Sequence, residues 1–316
     1  MTGMTVAALV PVFFGLALGY IAGRRGVVDN RNVTGLNTFL VSYAKPAALF
    51  LAAAQTPRHA LVLHGKLFLV LALTQLVIFC AALIVEVKLY RFTPADSSAL
   101  LLTVSSPNWV AVGFPLFIGL YGPQGTMPVA IAILCGNLVI VPLTLLLLEA
   151  GGLQGAPASM LSRYLDGLSK CLRKAIVLSP AVGVCLSLSG YALPPVWVRS
   201  LGFFSETVAG VALFVTGLIL SRESLSIDLN ILGGLVLKLI IQPLLIFVLA
   251  SFLMKYPTQI VRDGVLLMAC PGGFLGVLFA IAYGARTREA ASVLLLSTGV
   301  SALTLSIIVS LLPLIR

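Results

Sequence analysis

The sequence predicts an all-α, polytopic membrane protein of about ten transmembrane helices, arranged as an inverted repeat of five plus five spans. The 316-residue chain is 59% hydrophobic and 9% charged, with a mean hydropathy of +1.11, whereas soluble domains carry about 25% charged residues. A proline also interrupts a span at corresponding places in the two halves, at Pro107 in span four and Pro271 in span nine.

Ten windows of roughly 20 apolar residues predict the spans. They cover residues 6–22, 36–54, 67–85, 99–121 and 129–148 in the first half, and 175–188, 208–220, 231–253, 265–283 and 291–312 in the second. The sixth and seventh windows are short, so their edges are the least defined. Basic residues follow the first window at Arg24 and Arg25, which is typical of a first span inserted N-end outward rather than of a cleaved signal peptide.

A polar stretch at residues 151–174 divides the chain into repeats at 1–150 and 175–316. Five spans on each side force the second repeat to enter the membrane from the opposite face. Internal similarity supports this reading, because residues 116–122 (LFIGLYG) echo residues 278–284 (LFAIAYG), and Leu-Thr-Leu recurs at 143–145 and 303–305.

The basic residues predict the orientation, since Lys and Arg near span ends are held on the cytoplasmic side. With both termini external, the cytoplasmic segments hold about twice as many basic residues as the external segments. The sequence therefore predicts a multi-pass protein of the cytoplasmic membrane. The net charge of +10 is spread over loops that face anionic membrane lipids, so no nucleic acid partner is expected.

The two proline breaks predict a binding site for an anion. Proline removes a backbone donor and displaces a carbonyl, and the half-helix that follows offers free N–H groups and a partial positive charge. Asn108 adds an amide donor, and Gly272 and Gly273 let a ligand approach the backbone closely. The alternatives are that the prolines only kink packed helices and that Asn108 makes a packing hydrogen bond.

Two lysines lie well inside the predicted spans, Lys45 and Lys238, and no acid does. Buried charge of one sign favours an anionic substrate. Lys45 either attracts the substrate or snorkels and pairs with helix carbonyls; for Lys238, snorkelling is the favoured interpretation. Asn137, Gln75 and Gln242 are supporting polar candidates that packing explains equally well. Gly15 and Gly19 form a small-xxx-small pattern for close helix packing, with a dimer interface as one place for it.

Several classes of function lack their signatures. No metal-ligand spacing or cofactor motif occurs, and His59 and His64 lie together in one short external loop. An intramembrane enzyme would need a constellation of buried acids, His or Cys/His, a primary pump a GxxxxGK[ST] loop, and a channel a continuous polar stripe. Secondary transport of a small organic anion explains the features best, and a non-transporting receptor stays open.

Several segments resemble the auxin efflux carrier family, which includes bacterial malonate-transporter-like permeases. They are the Ser-Pro-Asn break with residues 113–116 after it, Cys135-Gly136-Asn137, Leu178-Ser179-Pro180, and residues 238–243. The resemblance implies a scaffold domain of spans 1, 2, 6 and 7 and a transport domain of spans 3–5 and 8–10, with crossover helices, elevator-type alternating access and a homodimer. It also implies kinship with the bile acid/sodium symporter fold. The family often has a polar side chain at the second break, where this chain has glycines.

The sequence thus predicts a permease whose substrate lies between Pro107-Asn108 and Pro271-Gly272-Gly273, with Lys45 nearby. Malonate is the first candidate by family analogy, and an auxin-like weak acid, exported or carried by uniport, is the alternative. Uniport, proton symport and sodium symport all fit the sequence.

Overall fold

A computed structural model describes residues 2–28, 30–58, 65–152, 173, 175–221 and 227–315. His59, His64 and nearly all of the predicted loop 151–174 lie outside these ranges. The described residues form twelve helices and no strand: α1 (Thr2–Arg24), α2 (30–55), α3 (Gly65–Lys88), α4 (Pro94–Ser105), α5 (109–121), α6 (126–152), α7 (Ala175–Ser189), α8 (Pro195–Leu220), α9 (229–253), α10 (Thr258–Ala269), α11 (Leu275–Tyr283) and α12 (Arg288–Leu311).

The protein is a multi-pass membrane protein. In the described part of the chain, six helical segments are long and apolar enough to cross a bilayer: Val33–Gln55, Gly65–Lys88, Met127–Glu149, Pro195–Val215, Leu229–Leu253 and Arg288–Leu314. The helical class that the sequence predicts is therefore confirmed, while ten spans in an inverted repeat stay a prediction. Predicted spans four and nine correspond to the helix pairs α4–α5 and α10–α11, each interrupted at its proline.

Three long helices contain a π-helical turn just before a proline. These turns are Leu40–Ala44 in α2, Gly136–Ile140 in α6 and Leu237–Ile241 in α9, followed by Pro46, Pro142 and Pro243. Proline cannot donate to the carbonyl one turn earlier, and a widened turn accommodates the misfit. Three polar side chains lie in or next to these turns: Lys45, Asn137 and Lys238. The backbone around each of them is therefore not a regular α-helix.

Helices α1, α2, α7 and α8 pack together, α1 along α8 and α2 along α7 and α8. A Cβ on Gly19 would lie 2.0 Å from the carbonyl oxygen of Phe214, and one on Gly217 would lie 2.2 Å from that of Leu16. Gly15 likewise lies against Leu213. The glycine pattern of α1 therefore packs against α8 of the same chain rather than against a second copy.

The remaining helices surround α4, which contacts α3, α6, α11 and α12. Every residue from 97 to 109 and from 263 to 274 is buried, so the segments around both prolines lie in the centre of the protein. At one end, an ion pair joins Arg286 to Glu289 at 2.6 Å. Arg286 also lies 4.3 Å from the centroid of the Phe92 ring, and its bond to Glu289 raises the pKa of Arg286.

Candidate functional site

The helix is interrupted at both prolines for the same local reason. Ser106, before Pro107, has an extended backbone with φ −112° and ψ 100°, and Cys270, before Pro271, has φ −57° and ψ 147°. A proline disfavours the helical conformation in the residue that precedes it, and Ser106 and Cys270 adopt the extended alternative, whereas Lys45 and Gln242 stay helical before Pro46 and Pro243. Helices α4 and α10 therefore end, and α5 and α11 restart after short extended segments.

The two extended segments lie side by side and bond to each other. Pro107 and Gly272 pair as an antiparallel bridge. The backbone N–H of Asn108 donates to the Pro271 carbonyl oxygen at 2.8 Å, and the backbone N–H of Gly273 donates to the Thr103 carbonyl oxygen at 3.1 Å. The structure thus brings together the five residues that the sequence singled out at the breaks. We call residues 105–109 and 269–274 the break junction.

Glycines at the second break admit the backbone of the first. A Cβ on Gly273 would lie 2.2 Å from the Ser106 carbonyl oxygen, and one on Gly276 would lie 2.1 Å from that of Ala99. Gly272 is less tightly enclosed, since its nearest contact would be Thr103 Cγ2 at 3.1 Å. Its amide donates to Ser297 Oγ at 3.0 Å. The sequence predicted that a ligand approaches the backbone at these glycines. In the structure, the backbone of α4 and of Ser106 after it makes the close approach.

A cavity of about 700 Å³ lies between the break junction and helices α2 and α8. Lys45, Pro107, Asn108, Asn137 and Gly273 line it. Its walls are mainly apolar side chains of α2 and α8, completed by Trp109, Ile133 and Phe274. Five of the ten candidate residues from the sequence therefore surround one space. Pro271, Gly272, Gln75, Gln242 and Lys238 are not part of the lining.

The beginnings of both restarted helices border the cavity. Trp109 and Val110 of α5 and the segment 273–275 at the start of α11 belong to its lining. The first amides of a helix have no acceptor within that helix and carry a partial positive charge. Asn108 is 3% exposed and Lys45 6%, and Lys45 Nζ lies 5.3 Å from the centroid of the Phe274 ring. The positive ends of two helices and the Lys45 side chain thus border one space.

Arg199 and Glu206 also line the cavity, and the sequence analysis missed both. It placed the seventh span at 208–220, whereas α8 begins at Pro195. The expectation that no acid lies well inside a span is therefore wrong for Glu206, which lies in the middle of α8. A hydropathy window that tolerates two charges would have found the longer helix.

The opposite side of the break junction is closed by polar side chains. Gln242 Nε2 donates to the Ser105 carbonyl oxygen at 2.9 Å, and Gln75 Nε2 donates to the same oxygen at 3.3 Å. Lys238 Nζ donates to the Met268 carbonyl oxygen at 3.0 Å. We call Gln75, Lys238 and Gln242 the closing cluster. Lys238 is 0% exposed, so the snorkelling interpretation is wrong for this residue.

The membrane transport protein family matches residues 4–309. The chain belongs to this family, the auxin efflux carriers. It is similar to the "Uncharacterized transporter YfdV" of Escherichia coli K12, with 26% identity over 295 residues that cover 92% of each chain. It is also similar to the "Putative malonate transporter" of Rhizobium meliloti, with 26% identity over 307 residues that cover 95% of this chain and 94% of the relative.

Similarity to a plant member of the auxin efflux carriers is more limited. The "Probable auxin efflux carrier component 3b" of rice is 30% identical over 140 residues, covering 42% of this chain and 23% of the relative. The family resemblance that the sequence motifs indicate is confirmed, and the protein is a membrane transporter.

Proposed function

We propose that this auxin efflux carrier family member moves a small organic anion across the cytoplasmic membrane by alternating access, and that the anion binds in the cavity beside the break junction. The observation that carries the proposal is the meeting of Lys45, Asn108 and the beginnings of α5 and α11 at one space. Such groups bind carboxylates through N–H donors and partial positive charge.

The charges of the lining support an anion. Lys45 and Arg199 are basic, and Glu206 is the acid among the described lining residues. The low dielectric of the surrounding protein strengthens the attraction between an anion and these groups. Glu206 could in turn carry a proton together with the substrate, which keeps proton symport beside uniport as the coupling modes we favour.

Malonate is our first candidate, because the "Putative malonate transporter" aligns over nearly the whole chain. The size and lining of the cavity favour an aromatic weak acid as a second candidate. Trp109, Phe203 and Phe274 line the cavity, and its volume of about 700 Å³ exceeds what a three-carbon dicarboxylate fills. Aromatic walls stack on aromatic ligands, whereas a small dicarboxylate would leave part of the cavity to water.

The proposed motion is of the elevator type. Helices α1, α2, α7 and α8, which pack on one another, would form the scaffold, and α3–α6 with α9–α12 would form the moving transport domain. The cavity lies where these two groups meet, because α2 and α8 provide one wall and the break junction the other. Exposed apolar side chains such as Val196 and Trp197 on α8 leave the scaffold able to contact lipid or a second copy in a homodimer.

Uptake of labelled malonate into proteoliposomes tests the proposal. A membrane potential, a pH gradient and a sodium gradient are imposed in turn, and an indole-containing monocarboxylate is measured in parallel. We expect saturable uptake of at least one substrate that exceeds uptake by empty liposomes. Absence of uptake and of exchange for every carboxylate offered would contradict transport through this cavity.

A further inference from the structure

The closing cluster contains a second buried lysine whose surroundings differ from those of Lys45. Lys238 lies in the π-helical turn Leu237–Ile241 of α9 and is fully buried. Its ammonium group donates to Gln242 Oε1 and to the Met268 carbonyl oxygen. Both partners are neutral oxygens, of the kind that also bind alkali cations.

One of these oxygens belongs to the end of an interrupted helix, and the other belongs to a glutamine that bonds to the end of the second interrupted helix. The last carbonyls of a helix have no donor within that helix and carry a partial negative charge. Met268 lies in the last turn of α10, and Ser105 is the last residue of α4. Gln242 connects the two ends, because its Nε2 donates to the Ser105 oxygen while its Oε1 accepts from Lys238. Two negative helix ends thus converge behind the break junction.

A positive charge at this point compensates both helix ends. Without it, the buried Met268 carbonyl oxygen and Gln242 Oε1 would each lose a side-chain donor, which is costly in a protein interior. We propose that the Lys238 ammonium is a built-in cation of this carrier, which fills the carbonyl-lined position behind the break junction in place of an inorganic cation. Transport then needs no Na⁺ bound at this position. The inference rests on the proposed transport function and narrows its coupling mode.

The placement also separates the tasks of the two lysines. Lys45 borders the cavity next to Phe274, where a substrate can reach it. Lys238 is bonded on the other side of the break junction, outside the cavity lining. Removing Lys238 should therefore open a position for a small external cation without changing the groups that line the cavity.

Thermal unfolding of the purified protein tests the inference without any substrate. Lys238→Ala makes room at the position, whereas Lys238→Met removes the charge but keeps the volume. We expect both variants to unfold about 5 °C below the wild type. Methylammonium or Na⁺ should restore Lys238→Ala but not Lys238→Met, and tetramethylammonium, whose methyl groups keep its charge away from the carbonyl oxygens, should restore neither. Lys45→Ala serves as the control lysine and should show no such rescue.

Two results of the unfolding measurements overturn the inference. One is a Lys238→Ala variant that unfolds like the wild type, or that responds equally to all three salts. The other is saturable stabilisation of the wild type by Na⁺ over choline at equal ionic strength, which decides the matter even if the variants fail to fold. Na⁺-dependent malonate uptake would support the transport proposal and overturn this inference, whereas absent uptake with a methylammonium rescue would do the reverse.

Discussion

The two sides of the break junction present opposite ends of helices. On the cavity side, α5 and α11 begin, and their first residues line the cavity together with Lys45 and Asn108. On the other side, α4 and α10 end, and the closing cluster occupies their carbonyl oxygens. One pair of prolines thus produces a donor-rich face and an acceptor-rich face. Under the proposed function the first face binds the ligand, while the second is satisfied by the protein itself.

Gly273→Ala would remove both faces at once and should have the largest effect. The added methyl group would lie 2.2 Å from the Ser106 carbonyl oxygen, so the two extended segments would have to separate. We expect a loss of stability above about 3 kcal/mol and no uptake. Fluorescence-detected size exclusion and thermal unfolding measure the first effect.

Gly299→Ala is the matched control, because a Cβ on Gly299 of α12 would have nothing within 4 Å. This variant should behave like the wild type. If Gly273→Ala is equally well folded and active, the close contact between the segments is unimportant.

Variants on the cavity side should change substrate binding and leave folding intact. Asn108→Ala and Lys45→Ala are each expected to raise KM for uptake roughly ten- to a hundredfold, since a contact to a charged group contributes about 1.5–3 kcal/mol. Lys88→Ala, at the exposed end of α3, is the control. An unchanged KM in both Asn108→Ala and Lys45→Ala would show that the anion binds elsewhere.

A variant in the closing cluster should show the reverse pattern with the smallest effect. Gln75→Leu removes the longer of the two bonds to the Ser105 carbonyl oxygen, at 3.3 Å, while Gln242 keeps the shorter one. We expect a loss of about 1 kcal/mol in stability and no change in KM. A raised KM at wild-type stability would mean that the two sides are not separate in function.

Prediction from sequence succeeded where the two halves of the chain carry the same signal. The pairing of Pro107 with Pro271 was anticipated from their matching positions in two apolar spans, and the structure joins these segments through Asn108 and Gly273. It failed at α8, because Arg199 and Glu206 lower the hydropathy of a segment that is nevertheless helical. Both charges line the cavity, a place where charged residues of membrane helices are commonly found.

Membrane class, family membership and the two helix breaks are determined by the sequence alone, because hydropathy and the missing proline donor are properties of the residues themselves. The positions of the two buried lysines relative to the junction were decided only by tertiary structure. In the sequence, Lys45 and Lys238 are alike, each being a lysine in an apolar span close to a proline. Packing of α2 against α8 places the first beside a cavity, and packing of α9 against α10 joins the second to a helix end. Such contacts join residues far apart along the chain, and no local pattern encodes them.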